Sequence, residues 1–342
     1  MLKKFKALSA LIVAAAVVLL NLSACSDTQM SGIKTIKVGV LCYDDKDTFI
    51  KGLINAMKVE FEKYEKQNLK INMIVEDAKD SQRVQDEQAE ELIESGVDVL
   101  CVNLVDRTAP SKIITLARNH DLPIVFFNRE LVDEDLMQWN KLYYVGANAK
   151  QSGNIQGDLA ADEILKNPEI DKNNDGKIQY VMMQGQPGHQ DAIIRSENSV
   201  SRLIERGIAL DKKGTAIANW SRSQAETKMK EFIDECGSSI ELVLCNNDDM
   251  ALGVIHAYNK SNMTDAGKPI IFGVDGNEVA IKAVQGGTLS GTVYNDKESQ
   301  AKGIVELTYR LATNGDLTTL NLVRGKYLKY EYYPITKDKL KS

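Results

Sequence analysis

The chain has 342 residues, of which 43% are hydrophobic and 26% charged, with a formal net charge of −6. Taking away Lys3, Lys4 and Lys6, which sit in an N-terminal leader, moves the charge from −6 to −9, and an acidic balance of this size argues against nucleic acid as a partner. Five cysteines without a CxxC pair or a Cys/His cluster exclude a disulfide scaffold and give no zinc signal.

Residues 1–24 read as a secretory leader, because the three lysines precede an apolar run, Ala7 to Leu20, too short for a membrane span with such flanks. The leader ends in Leu22-Ser23-Ala24-Cys25, which resembles a bacterial lipobox. The expectation is a lipidated Cys25 that anchors the mature chain to the outer face of the cytoplasmic membrane, or a periplasmic location. Residues 25–33 are small and polar and form a tether. The length that follows favours two domains over one core.

Beyond the tether, short β-branched runs alternate with helical patterns. KTIKVGVLC (34–42) is followed by a helix over 48–66, LKINMIVE (69–76), a helix over 81–95, VDVLCVN (97–103), a helix over 108–119, LPIVFFN (122–128) and KLYYVGAN (141–148). The alternation then restarts with KIQYVMMQ (177–184), TAIANW (215–220), ELVLCNND (241–248) and KPIIFGVD (268–275). Such alternation predicts parallel sheets with helices on both faces, and two successive sets predict two doubly wound α/β lobes. Cys42, Cys101, Cys236 and Cys245 are expected as buried free thiols, with a Cys42–Cys101 bridge as the alternative.

Open parallel sheets bind ligands beyond the carboxyl ends of their strands. The residues there are Tyr43 and Asp47, Asn103, Asn128, His189 and Asp191, Trp220, Asn247 and Asp248, Asp275, and Asn295 after GTVY. Asp and Asn at such places also N-cap the next helix. As a set, planar amides and carboxylates suit vicinal hydroxyls, and a Trp face suits sugar C–H groups, so a neutral polyhydroxylated ligand is indicated over an anion. Separately, DKNNDGKIQ (171–179) reads as the first nine residues of an EF-hand calcium loop, with Asp171, Asn173 and Asp175 alternating before Gly176 and Gln179 in ninth place. The twelfth place holds Met182 where that loop needs a Glu.

From Lys37 to Leu340 the sequence resembles the galactose/glucose-binding proteins of bacterial ABC sugar importers. The blocks that carry this are YDDKDTF (43–49), VNLVD (102–106), VFFNRE (125–130), YYVG (143–146), SGNIQGD (152–158), DKNNDGKIQYV (171–181), GQPGHQDAIIR (185–195), NNDDMALG (246–253), FGVDG (272–276) and GTVYND (291–296). The resemblance implies the type I periplasmic binding protein fold, two lobes joined by three hinge strands near Gly146–Asn148, Tyr294–Lys297 and Tyr330–Tyr332. The first lobe would then be 34–146 plus 296–330, and the second 147–295 plus 331–342. It also implies a monomeric, non-catalytic receptor that closes by a hinge on D-glucose or D-galactose and presents it to an ABC permease, or to a chemoreceptor or histidine-kinase ectodomain. Its sugar contacts would be Tyr43, Asp47, Phe49, Asn128, His189, Asp191, Arg195, Trp220, Asn247, Asp275 and Asn295, with Phe49 and Trp220 sandwiching the ring. The bland alternatives are a core Phe49, a Trp220 that covers a helix, and an Arg195 paired with Asp191 at i,i+4. Finally, it implies structural calcium held by Asp171, Asn173, Asp175, the Lys177 carbonyl, Gln179 and Glu241, the last arriving from a distant strand.

Overall fold

The structure, a computed structural model, describes residues 33–340. The predicted leader, Cys25 and the tether up to residue 32 lie outside the described residues, as do 341–342. No helix among the described residues is long and apolar enough to cross a membrane. Residues 33–35 with 65–70 form a small unit of their own, in which the Lys34 N–H donates to the Asn68 carbonyl at 2.9 Å. Everything from Ile36 to Tyr64 and from Ile71 on forms a second unit, which holds both lobes.

In the first lobe, β1 (Lys34–Cys42), α1 (Thr48–Glu62), β2 (Leu69–Asp77), α2 (Gln82–Glu94), β3 (Val99–Val102), α3 (Ser111–Asn119), β4 (Ile124–Phe127), α4 (Asp133–Met137) and β5 (Leu142–Ala147) follow in order. A late strand, β11 (Tyr327–Tyr330), adds beside β5, giving the sheet order β11-β5-β4-β3-β1-β2. Strands β3 and β4 are buried along their whole length, as central strands of a sheet covered on both faces are. The order β2-β1-β3-β4-β5 places a topological switch between β1 and β3, which opens a crevice at their carboxyl ends.

The second lobe repeats the plan. It contains α5 (Ala149–Lys166), β6 (Ile178–Gln184), α6 (Gln190–Glu205), β7 (Leu210–Ile217), α7 (Arg222–Cys236), β8 (Leu242–Cys245), α8 (Asp248–Lys260), β9 (Ile270–Phe272), α9 (Glu278–Gly286) and β10 (Thr292–Asn295). Its sheet order is β7-β6-β8-β9, with the switch between β6 and β8. Strand β10 bridges to the β9 side in parallel through Phe272–Gly291 and Asp275–Tyr294, and pairs antiparallel with β12 (Tyr332–Ile335). Small residues on α5 let it press on α6: a Cβ on Gly157 would lie 2.7 Å from the Ser199 carbonyl and from the Arg202 Cβ.

The chain passes between the lobes three times: between β5 and α5, between β10 and α10 (Lys297–Ala312), and between β11 and β12. Some elements differ from the sequence expectation. The strand expected over 215–220 runs instead from Leu210 to Ile217, because β7 is an edge strand whose exposed Lys212 and Lys213 hide it from an apolar-run criterion. The helix expected over 48–66 ends at Glu62, and the one expected from 108 starts at Ser111, after Pro110. Glu241 lies just before β8 and not within it. All four described cysteines are free, so there is no Cys42–Cys101 bridge; Cys236 is half-buried, not buried as expected. Burial pushes the Cys42 and Cys101 thiols up to about 12.

Candidate functional site

Three of the site residues cap helices. Asp47 caps α1: its Oδ1 accepts the Ile50 N–H at 2.9 Å and its Oδ2 accepts the Tyr43 hydroxyl at 2.6 Å. Asn247 caps α8, its Oδ1 accepting the Met250 N–H at 2.9 Å while its Nδ2 donates to the Trp220 carbonyl at 3.2 Å. His189 caps α6, its Nδ1 accepting the Asp191 N–H at 3.1 Å. Burial, with Arg129 and Arg195 close by, holds the His189 pKa well below its usual value, so the ring is neutral. With Nδ1 accepting, the proton belongs on Nε2, which makes that nitrogen the donor.

Three others sit on backbone that side chains rarely adopt. Asn128 (φ 62°), Trp220 (φ 62°) and Asp275 (φ 123°) all lie at positive φ, beyond β4, β7 and β9. For a bulky Trp this is a strained conformation, and such strain persists only where neighbours enforce it. At Asn128 the neighbours are the Tyr144 hydroxyl, donating to its carbonyl at 2.8 Å, and Asn103 Nδ2, donating to its Oδ1 at 3.1 Å. At Trp220 the ring lies against Gly185, where any Cβ would collide with the indole, and edge-on to His189 with centroids 4.9 Å apart. At Asp275 the N–H donates to the Val293 carbonyl at 2.8 Å, and its own carbonyl takes the Asn295 N–H at 3.0 Å.

Arg195, 3% exposed, is engaged through all of its guanidinium nitrogens. Nε reaches Ser152 Oγ at 3.2 Å, Nη1 the Asn246 carbonyl at 2.9 Å, and Nη2 both Asp191 Oδ2 and the Tyr332 hydroxyl at 2.9 Å. The i,i+4 ion pair with Asp191 is therefore present, and it lines the cavity as well. Burial opposes the Arg195 charge, but Tyr332, Asp191 and Asp275 outweigh it and raise the pKa. Burial raises the pKa of Asp47 and Asp191, each held back by its partners, and drives Asp275 well above the usual carboxylate range.

One cavity collects these groups. A cavity of about 20 Å³ is bounded by Tyr43, Asp47, Phe49, Asn128, His189, Asp191, Arg195, Trp220, Asn247, Asp275 and Asn295, the eleven residues singled out from the sequence. That is room for about one water molecule, far below the roughly 300–1,000 Å³ of ligand pockets, so a sugar would enter only with the lobes parted. An outer chamber at the cleft mouth shares Tyr43, Asp47, His189 and Trp220 with it. The lining offers carboxylate acceptors, amides, one imidazole donor and two aromatic walls, a set that can hydrogen-bond a neutral hydroxylated molecule while covering its apolar faces.

Residues 38–316 match the periplasmic binding protein domain family. The chain belongs to the periplasmic binding protein family. It is 34% identical over 308 residues to the D-galactose/methyl-galactoside binding periplasmic protein MglB of Haemophilus influenzae, covering 89% of this chain and 90% of that one. It is 29% identical over 333 residues to the xylitol-binding protein of Mycolicibacterium smegmatis, covering 96% and 85%. Among solved structures, an ABC transporter solute-binding protein of Bacillus halodurans with bound myo-inositol superposes with a TM-score of 0.73 at 26% identity, covering 92% and 98%. A solute-binding protein of Actinobacillus succinogenes with bound D-allose, at 19% identity, shares the fold with a TM-score of 0.76 over 90% and 99%.

In this periplasmic binding protein the 171–179 loop enters β6. Asp171 Oδ2 accepts the Gly176 N–H at 2.9 Å, Asn173 Oδ1 the Asp175 N–H at 2.9 Å, and Asp175 Oδ1 the Lys177 N–H at 2.8 Å. The buried Glu241 carboxylate reaches the same loop, accepting N–H groups from Lys172 at 2.6 Å and Gln179 at 3.0 Å. These side chains carry oxygens of the hard kind that calcium takes, but here Asn173 Nδ2 and Gln179 Nε2 both donate to Asp175 Oδ2, at 3.1 and 3.0 Å. Among the described residues, however, the carboxylate trio whose oxygens all lie within 4.8 Å of one another is Asp44, Asp45 and Asp77, not the loop's. The lysine tied into this region is Lys172: its Nζ donates to the Ser238, Ile240 and Gly267 carbonyls at 3.1, 2.8 and 2.9 Å.

Among the cleft residues that escaped the sequence reading are Arg129 and Tyr332. Arg129 stacks on the Tyr43 ring with 3.6 Å from Cζ to the centroid, and Tyr332 carries its hydroxyl to Arg195 from a hinge strand. The signal for Arg129 was its place directly after Asn128 at the end of β4. Tyr332 gave none beyond lying at a hinge.

Proposed function

We propose that the protein captures a neutral monosaccharide, D-glucose or D-galactose, in the cleft between its lobes outside the cytoplasmic membrane, and hands it to an ABC permease. The observation that carries this is the convergence of Phe49 and Trp220 with Asp47, Asn128, Asp191, Arg195, Asn247 and Asp275 on one cavity. The MglB relative supports the hexose choice. Calcium at Asp171, Asn173, Asp175, the Lys177 carbonyl, Gln179 and Glu241 would pin the loop ahead of β6 to the start of β8, a structural task. Lipidation at Cys25 would keep the receptor near its permease; docking on a chemoreceptor or histidine-kinase ectodomain uses the same loaded form.

The role is binding, not catalysis. A carboxylate pair that works as acid and base needs environments that push the two pKa values apart. Asp47 and Asp191 are both shifted upward by burial, and Asp191 is locked to Arg195.

Calorimetry with D-glucose, D-galactose, D-ribose and myo-inositol tests the assignment. Heat with a hexose, weakened by about 1–3 kcal/mol in Asp47→Ala and in Trp220→Ala, is the expected result. Heat with myo-inositol alone would move the ligand to the cyclitols, which the Bacillus halodurans structure favours. No heat with any of them defeats the proposal.

A further inference from the structure

We infer that Arg129 and Gln186 form a direct protein-to-protein latch across the cleft, and that Arg129 also positions Tyr43, and through it Asp47, for the ligand. Arg129 belongs to the first lobe, just beyond β4, and Gln186 to the second, just beyond β6. Arg129 Nη2 donates to the Gln186 amide oxygen, and Nη1 to the Val105 carbonyl of its own lobe. The other end of the same amide returns to the first lobe: Gln186 Nε2 donates to the Asp80 carboxylate at 3.1 and 3.2 Å. One second-lobe amide is thus held between two first-lobe groups of opposite charge.

Arg129 is only 5% exposed, and its charge is met by the Tyr43 ring face and by two neutral oxygens, with the Asp47 and Asp80 carboxylates also acting on it. Charge-assisted hydrogen bonds in a water-poor setting are stronger than neutral ones, so parting the lobes breaks a valuable contact. Tyr43, fixed under this cation, turns its hydroxyl to Asp47 at 2.6 Å. At another point of the cleft the Thr48 hydroxyl meets Asp249, which also takes Arg222 at 2.6 and 3.1 Å, so the latch is not the sole bridge. Contacts made only when the cleft is shut slow opening; they leave encounter with ligand unchanged.

The ligand arm of this inference rests on the proposed sugar function; the latch itself can be read without ligand. Dyes on the two lobes report the closed fraction by single-molecule energy transfer, and stopped flow gives hexose association and dissociation rates. Gln186→Ala is expected to lower the ligand-free closed fraction and to raise the dissociation rate about tenfold, at about 1.4 kcal/mol per decade, with the association rate and melting temperature unchanged. Arg129→Ala should lose the Arg129–Gln186 bond while keeping Gln186–Asp80, and it should also loosen Tyr43, so that its affinity falls through the site as well as through the latch. Arg129→Lys should regain part of the affinity by restoring a cation over the ring. The Arg129/Gln186 double variant should dissociate somewhat faster than Arg129→Ala alone, because Arg129→Ala leaves the Gln186–Asp80 contact across the cleft in place. Should Arg129→Ala fail to fold, Gln186→Ala still decides. Identical closed fractions in Gln186→Ala and wild type, with dissociation rates within about twofold, overturn the latch. If no hexose binds wild type, the sugar reading fails, and the ligand-free distances still decide for or against the latch.

Discussion

Replacing Arg195 with Met keeps much of the side-chain volume and removes the charge, which strands a buried carboxylate. Asp191 is 6% exposed and loses its ion pair with Arg195, the Tyr332 hydroxyl loses a donor at 2.9 Å, and the Asn246 carbonyl loses one at 2.9 Å. Breaking a buried pair from one side costs about 3–5 kcal/mol, and a domain of this size loses roughly 2–4 °C in Tm per kcal/mol, so scanning calorimetry should show the melting point falling by about 6–20 °C. The double change Arg195→Met with Asp191→Asn separates the causes. If the stranded charge dominates, neutralising it should recover about 0.5–3 kcal/mol, the usual size of coupling between touching residues. A single variant melting within about 2 °C of wild type would refute the reasoning, because it would mean that Asp191 finds solvent or another partner at little cost. Hexose affinity measured at a temperature where the variant is folded then tells whether Arg195 serves the ligand as well as the fold.

Gly185→Ala places a Cβ inside the space of the Trp220 indole, so the ring must move; hexose affinity should fall by about tenfold and indole fluorescence on sugar addition should change, while overpacking costs about 1–3 kcal/mol of stability. Unchanged binding would show that Trp220 is no wall of the site. Asp248, fully buried, accepts the Thr292 hydroxyl at 2.6 Å and the Asn277 N–H at 3.0 Å, and burial lifts its pKa from 3.8 to about 7. Between those values the folded state holds its proton more tightly than the unfolded chain, so this group's contribution to stability is present at low pH and is lost as pH rises toward 7, at up to about 1.4 kcal/mol per pH unit. In Asp248→Asn that loss is absent: its melting point minus that of wild type should climb from pH 4.5 to about 7 and then level, and parallel curves would contradict the assignment. Chelator should lower the melting point with or without sugar, by an amount that mass action sets at about 4 kcal/mol for calcium at a thousand times its Kd, and Asp175→Asn should blunt the response; a melting curve indifferent to chelator removes calcium from the account.

The alternation of strands and helices could be read from the chain because parallel strands buried on both faces are nearly pure apolar runs, as at Val99–Val102 and Ile124–Phe127. It failed at β7, where Lys212 and Lys213 face solvent, and at β11 and β12, whose Tyr-rich, half-exposed sequences carry no clear period. The cavity residues were found by taking the residue past each strand and by family resemblance, since switch points gather such positions. Capping and lining the cleft are alternative readings of such residues in the sequence, yet Asp47, His189 and Asn247 both cap a helix and line the cavity. Arg129 and Tyr332 were out of reach because each acts through another side chain, a relation that spacing along one chain does not encode.

That double duty constrains how such a receptor can change its taste. An altered side chain at position 47, 189 or 247 would fit a different ligand only while leaving the first turn of a helix without its acceptor, so drift toward new substrates is channelled to positions free of that obligation. Asn128 and Asp275 cap nothing, yet their positive φ values of 62° and 123° restrict replacement in another way, so the frame holds these positions too.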